Sequence, residues 1–458
     1  YLSVDGTSPW AKEAQTRLKE LQEQQQRRAQ TRSELFPEFL QADKAANEEL
    51  AWQLFARARS RTGNLITEQL LDEWLDKAKG KSTSSELDSL PILESAGERE
   101  RRRVDDHFTA DLVHFYKTFA RAQPNTRFEK LTTARHLVRQ ARAEFNASRF
   151  ASAARLFGQA AASYQALGNQ HEMMLAQCWS AHSLLRLPDL KQSLLLYQSL
   201  LPACSQYRYR WLQSQILNAI ADNQSSRSQY SQALDYADQS RAIALKIEDT
   251  AGALRNLQFG LSMKLQFGNY RDSLTYSAQA FELAQNTIGE PRQLWHLYFE
   301  NALNFLQLDL PTAALSFQHE ALRLALASNW PLIICRSYMR LGMLYDRLED
   351  YQQSLKYLQL ALAEGQKIPL TEGQIDLTSH TWLQLGLVHL RHNAPQQALS
   401  CFEQASSQFT QIHIPYELYC ARKGRSQALL QLGRDQEAGQ ELAQALQLYE
   451  LHRQTIVE

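Results

Sequence analysis

The 458-residue chain reads as an all-α protein: an α-solenoid of about eight helical hairpins behind an N-terminal helical region. Three observations predict this. Gly and Pro are scarce, at 17 and 12 residues, while Ala, Leu, Gln, Ser and Arg fill almost every stretch, a composition that favours helix over strand. The length exceeds what one core usually holds, which points to growth by repetition. A small residue also recurs at a nearly fixed interval, at Ala153, Ser193, Ala233, Ser273, Ala313, Ser354, Ala398 and Ala438.

From the N-terminus, residues 1–130 form a charged helical region that carries more than its share of the ionisable side chains. Ser8-Pro9-Trp10 reads as a helix start, with Ser8 as cap and Pro9 in the first helical position. That helix should run to about Arg28. Further helices are expected over Glu34 to Arg59, Thr67 to Ala78 and Arg99 to Ala122, separated by Thr62-Gly63-Asn64 and by a Ser- and Lys-rich loop from Gly80 to Pro91. The run Glu98 to Arg103 is charged throughout and reads as a solvated helix face, with a docking patch for an acidic partner as the alternative.

Residues 131–458 form the repeat array. Three residues before each small anchor stands a mostly large one: Phe150, Leu190, Tyr230, Tyr270, Leu310 and Tyr351, with Pro395 and Asp435 as departures. Four residues after it come Phe157, Tyr197, Ala237, Ser277, Phe317, Leu358, Phe402 and Leu442, and three further on are small residues such as Ala160, Ala280, Ala361, Ala405 and Ala445. Offsets of three, four and seven define one helix face. Small side chains let two helix axes approach where they cross, and the large neighbour fills the space beside the crossing, so Ala313→Leu is expected to overpack. A second amphipathic stretch precedes each such helix, as in Leu341-Gly342-Met343-Leu344-Tyr345 and Trp382-Leu383-Gln384-Leu385-Gly386. Turn formers join the two helices at Pro188-Asp189, Gly268-Asn269, Glu349-Asp350, Asn393-Ala394-Pro395 and Gly433-Arg434. Breakers such as Gly168-Asn169, Gly289-Glu290-Pro291, Asn329-Trp330-Pro331, Ile368-Pro369 and Ile414-Pro415 separate the hairpins. The order of small and large residues resembles that of tetratricopeptide repeats, with a period of about 40 residues instead of 34.

The 49 basic and 49 acidic residues balance, so no global field draws the chain to nucleic acid or an anionic membrane. The longest apolar stretch, Leu332 to Tyr345, is interrupted by Arg336 and Arg340, and no segment reaches the ~18 apolar residues of a membrane span. Five scattered cysteines, Cys178, Cys204, Cys335, Cys401 and Cys420, suit a reducing, cytoplasmic setting. The absence of an initiator Met before Tyr1 suggests a fragment of a longer protein, in which a membrane tether could lie upstream.

No catalytic residue, metal site or cofactor is expected. His107 and His114 are two turns apart, too far for a compact metal site by themselves, and the closer pair His389 and His392 reads as solvent-facing or capping. Phosphate-loop, zinc-protease and nucleophile-elbow motifs are missing. Binding is the better reading, because the first helices of stacked hairpins line a concave surface. Periodicity places Gln215, Asn218, Asp222, Arg255, Gln258, Trp295, Tyr298, Arg336, Met339 and Asp346 on it as candidates for holding a peptide or protein partner, although several could instead join neighbouring hairpins.

Two stretches carry a more particular likeness: Leu2-Ser-Val-Asp5-Gly-Thr-Ser8-Pro9-Trp10-Ala11 with Glu13, Ala14 and Leu18, and Leu310-Pro311-Thr-Ala-Ala-Leu-Ser-Phe317-Gln318-His-Glu320. Together with the repeats they resemble the region upstream of the protease domain in bacterial CHAT proteins, caspase-like peptidases joined to tetratricopeptide arrays. The resemblance covers most of the chain. It implies a non-catalytic scaffold that senses or positions a partner for a peptidase domain expected beyond Glu458. The alternative is a free-standing repeat protein that binds a signalling peptide or protein.

Overall fold

The computed structural model describes residues 32–59, 63–78, 89–121, 125–147, 149–187, 190–285, 291–368 and 372–457. The helix expected from Ser8 lies outside the described residues. Among them there are 21 α-helices and no strand, beyond an isolated antiparallel bridge between Arg59 and Asn64. The chain is an all-α fold of tetratricopeptide-like hairpins, four of them in each of two units, residues 1–288 and 289–458.

The first unit begins with five helices: α1 (Arg32–Lys44), α2 (Glu48–Arg57), α3 (Leu65–Ala78), α4 (Ser89–Val104) and α5 (Phe108–Arg121). Two long helices expected from the sequence are each broken. Ala46 takes a left-handed φ of 54° and Asn47 caps the following helix by accepting Leu50 N–H, which ends α1 and starts α2. Asp105 does the same between α4 and α5, also at 54°. Helix α4 also starts within the expected loop, at Ser89.

Four hairpins follow, α6 (Asn125–Asn146) with α7 (Phe150–Leu167), α8 (Gln170–Leu184) with α9 (Leu190–Tyr207), α10 (Arg210–Ser226) with α11 (Tyr230–Lys246), and α12 (Thr250–Gln266) with α13 (Tyr270–Gln285). One hydrophobic cluster runs from Leu35 and Trp52 through Tyr116 to Tyr164, Trp211 and Ile247, so the five N-terminal helices are buried against the first three hairpins. The second unit stacks α14 (Pro291–Gln307) with α15 (Pro311–Ser328), α16 (Pro331–Arg347) with α17 (Tyr351–Gly365), α18 (Glu372–Arg391) with α19 (Pro395–Gln411), and α20 (Pro415–Gln431) with α21 (Asp435–Val457).

Near-constant spacing comes from a repeated turn. One residue in the left-handed region ends a helix and the next opens its successor: Gly168, Arg208, Ser228, Glu248, Gly268, Asp309, Asn329, Glu349, Asn393, His413 and Gly433. Behind most of them an N–H reaches five residues back, as in Tyr209 N to Cys204 O and Asp350 N to Tyr345 O, both 2.9 Å, which satisfies a carbonyl at the helix end. Five of the second unit's helices, α14, α15, α16, α19 and α20, begin on Pro, whose missing N–H has no intrahelical acceptor in the first turn.

Counted from each helix start, the small anchor is the fourth residue. Seven of the eight positions read from the sequence fit, among them Ala153, Ser193, Ala233, Ser273, Ser354 and Ala398, all fully buried. Ser193 and Ser354 donate to the carbonyls of Ala181 and Gly342 on the facing helix, each at 2.9 Å. The fifth position needs correction. Leu310 is the cap and is exposed, Pro311 is the first helical residue, and the crossing is made by Ala314 while Ala313 is half-buried. The large-residue position is then filled by Gln318, whose Nε2 donates to Ser337 O at 3.1 Å. Ala314→Leu should therefore lower stability by about 1–3 kcal/mol in thermal or urea unfolding, whereas Ala313→Leu should stay within about 0.5 kcal/mol. The reverse ranking would restore the unshifted register.

Candidate binding surfaces

In the first unit the N-terminal helices lie across the first helices of the hairpins and are held there by polar contacts. On α6, Arg135 pairs with Asp72 of α3 at 2.6 Å and with Glu172 of α8 at 2.7 Å. Glu172 also accepts the Tyr116 hydroxyl at 2.6 Å and the Asn169 amide at 2.7 Å. Arg142 pairs with Glu68 at 2.6 Å. At the other end, Trp52 Nε1 donates to Glu248 at 2.8 Å, while Arg59 donates to Ile247 O at 2.8 Å and pairs with Glu100 at 2.7 Å.

The Glu98 to Arg103 run is therefore only partly a solvated face. Arg101, Arg102 and Arg103 are exposed, but Arg99 and Glu100 turn inward, Arg99 onto Asp43 and Glu48 and Glu100 onto Arg59. A run of six helical residues spans more than one turn, so some of it must face the core.

Asp106 joins the two sets of helices. One carboxylate oxygen accepts Phe108 N–H at 3.1 Å and caps α5, and the other accepts Trp211 N–H at 2.8 Å, in the first turn of α10, whose own cap residue Tyr209 supplies no side-chain bond. Burial first, and the neighbouring Glu100 second, push its pKa up to about 7 against the pull of Arg59 and the two amides. The folded chain thus keeps this proton at pH values where the free side chain, near 3.8, has lost it. The proton-linked stability is complete below that lower value and is lost as pH rises through about 7. Asp106→Asn should shrink the difference in unfolding midpoint between about pH 5 and about pH 8. An unchanged difference would remove Asp106 as its source.

Between these helices lies a cavity of about 90 Å³, whose lining includes Arg59, Glu100, Asp106, Arg135, Glu172 and Trp211. It has room for several waters. Thr67 Oγ1, Glu100 Oε2 and Trp211 Nε1, all on its wall, lack hydrogen-bond partners among the described residues. Sequence periodicity could not single these residues out, because they come from five separate helices and the turn before α3 and α5.

The sequence-selected residues fall in both units. In the first, Gln215, Asn218 and Gln258 are buried, and Arg255 and Asp222 half-buried. Asn218 Nδ2 donates to Asn256 at 2.8 Å and Arg255 to Gln215 at 3.3 Å, so α10 and α12 are bridged by these side chains. In the second unit, Trp295 is buried and its indole donates to Ser337 at 2.8 Å, linking α14 to α16. Tyr298 and Met339 are half-buried and Arg336 is exposed, while Asp346 pairs with Arg391 of α18.

The histidines are engaged locally. His107 Nε2 lies 3.3 Å from Asp105, and His389 Nδ1 lies 2.9 Å from the Tyr351 hydroxyl. Among the described residues no three His, Cys, Asp or Glu side chains are grouped to hold a metal ion. All five cysteines are free thiols and burial pushes their pKa values up. No described helix is long and apolar enough to cross a membrane.

The tetratricopeptide repeat family matches residues 333–411, the second and third hairpins of the second unit. No curated protein matches the chain. Three solved structures are similar in fold. The apo quorum sensor NprR from B. thuringiensis gives a TM-score of 0.57 at 10% identity, covering 84% of this chain and 97% of that one. Apo RapI gives 0.55 at 15% identity, with 71% and 88% covered. The Pyrococcus horikoshii STAND protein PH0952, which has a tetratricopeptide repeat sensor, gives 0.55 at 14% identity, with 90% and 66% covered.

Proposed function

We propose that this chain is a non-catalytic scaffold that binds a peptide or protein on the inner helices of its hairpins and serves as a sensory or regulatory module. The observation that carries the reading is the row of first helices in the second unit, which keeps Tyr298, Arg336 and Met339 on the surface or half-buried on neighbouring helices α14 and α16. Aromatic, thioether and guanidinium groups so placed suit an extended chain. The likeness in fold to NprR and to PH0952, described as a quorum sensor and as carrying a repeat sensor, supports the same reading.

The effector is proposed to be a caspase-like peptidase, on the strength of the resemblance to CHAT proteins, and the setting to be cytoplasmic, on the strength of five reduced cysteines. A free-standing sensor of a signalling peptide is the second reading, supported by the fold of NprR. The coding sequence beyond Glu458 separates these two. Immobilised full-length chain exposed to a random octapeptide library should retain a defined, saturable subset. Retention no different from that on an inert protein would overturn peptide binding.

A further inference from the structure

The cavity of the first unit presents polar groups that its own walls do not use. Thr67 of α3, Glu100 of α4 and Trp211 of α10 are 6%, 3% and 5% exposed, and the hydroxyl, one carboxylate oxygen and the indole N–H that they bring there have no hydrogen-bond partner among the described residues. A buried donor or acceptor left bare is costly, and three of them around one space call for an occupant that satisfies them. At about 90 Å³ the space holds about six to eight waters, or a ligand with a similar number of non-hydrogen atoms. Arg139 lines one side with 59% of its side chain exposed, so the space reaches the surface there.

The charges on the wall select the sign of that occupant. Five carboxyl groups line the cavity with four guanidinium groups. Arg135, Arg139 and Arg142 are matched by Asp72, Glu172 and Glu68, and Arg59 by one oxygen of Glu100. An anion would meet no spare cation. The other oxygen of Glu100 is bare, and Asp106 holds two backbone amides but no ion pair of its own among the described residues. Glu100 also works against the charge on Asp106, so the two carboxyl groups share one end of the cavity with a surplus of negative charge. Trp211 is tied to the same end by its backbone N–H on Asp106 and by its ring edge-on to Phe108, 6.1 Å between centroids.

We propose that this cavity binds a small organic cation that also carries a hydrogen-bond acceptor, with its ammonium group on Glu100 and Asp106, its acceptor on the indole of Trp211 and its carbon skeleton against Phe108 and Leu112. The inference does not depend on peptide binding by the second unit. No three acids are grouped for a metal ion among the described residues, and the aromatic and aliphatic part of the wall suits carbon. Bound there, the ligand connects α4 and the turn before α5 with α10, and so holds the N-terminal helices to the hairpins.

The probe is γ-aminobutyramide, which has both groups and the size of the cavity, titrated calorimetrically into the full-length chain at about pH 8. Valeramide replaces its ammonium by methyl, pentylamine lacks its amide, and succinamate carries the opposite charge. One molecule should bind per chain, about tenfold or more tightly than valeramide or pentylamine, and succinamate should not bind. Glu100→Gln should abolish the advantage over valeramide. Trp211→Phe, which keeps a ring beside Phe108, should abolish the advantage over pentylamine. The groups that face Asp106 are Glu100, Arg59, Cys204 and Tyr209, and burial keeps the last two protonated. Since Asp106 takes up its proton below about 7, affinity should fall by up to about tenfold between about pH 8 and about pH 6, and Asp106→Asn should flatten that dependence.

Valeramide bound as tightly as γ-aminobutyramide, or succinamate bound more tightly, would overturn the cation assignment. A preference for the cation that survives in both Glu100→Gln and Asp106→Asn would overturn the site. Should Glu100→Gln fail to fold because it strands Arg59, as circular dichroism would show, Trp211→Phe and the pH series decide in its place. No binding of γ-aminobutyramide at about 10 mM would leave the cavity to water alone and overturn the proposal.

Discussion

Arg135→Met should destabilise the first unit by about 3–5 kcal/mol, the range for removing one partner of a buried ion pair. Arg135 is 8% exposed and connects three helices, α3 through Asp72, α6 through its own backbone and α8 through Glu172. Without it, Glu172 keeps the Tyr116 hydroxyl and the Asn169 amide but loses its only described cation, at a side-chain exposure of 10%. Urea unfolding of the variant reads the loss, and proteolysis should show the N-terminal helices cut sooner. Adding Glu172→Gln should recover a substantial part, because the stranded charge goes with it. A loss under about 1 kcal/mol would mean that water reaches Glu172 and that the network does little to hold the N-terminal helices in place.

Phe402→Ala is the second large effect, also about 3–5 kcal/mol, expected in the second unit. The ring is fully buried and wedged between glycines on two first helices. A Cβ at Gly424 would stand 2.5 Å from it and one at Gly386 2.6 Å. Helices α18, α19 and α20 are thus locked by one side chain, and the glycines leave nothing that could relax into the void. Thermal unfolding checks this, and a shift worth less than about 1.5 kcal/mol would show that the hairpins slide together to close the space. At the corresponding place in the last hairpin Leu442 is exposed, since Phe402 needs a following first helix to cover it and Leu442 has none among the described residues.

The repeat was legible because its physical requirements are local. A small residue at each crossing and a large one a turn later, as at Ala398 and Phe402, recur in the sequence at the spacing of the hairpins. Where a Pro shifted the helix start by one residue, at Pro311, the count slipped from Ala314 to Ala313, since composition at both positions is the same and only the helix start tells them apart. The breaks at Ala46 and Asp105 escaped notice for a related reason. Neither residue is a strong helix breaker, yet each takes a left-handed φ of 54° at the join between two helices.

Binding residues were harder to read. Trp295 and Asn218 have the residue types and the periodicity of a groove, and both bond across to the next hairpin, which no spacing rule separates from facing a ligand.

The sequence alone determined an all-helical fold, eight hairpins and their register within one residue, because helix period, small-residue crossings and turn chemistry are set by neighbours within a few turns. Tertiary structure alone decided which charges are spent. It joined Asp106 to Trp211, Arg135 to Asp72 and Glu172, and Trp52 to Glu248. Those pairings span from 37 to 196 residues, and whether a charge is neutralised depends on a distance of a few ångströms that a one-dimensional pattern does not contain.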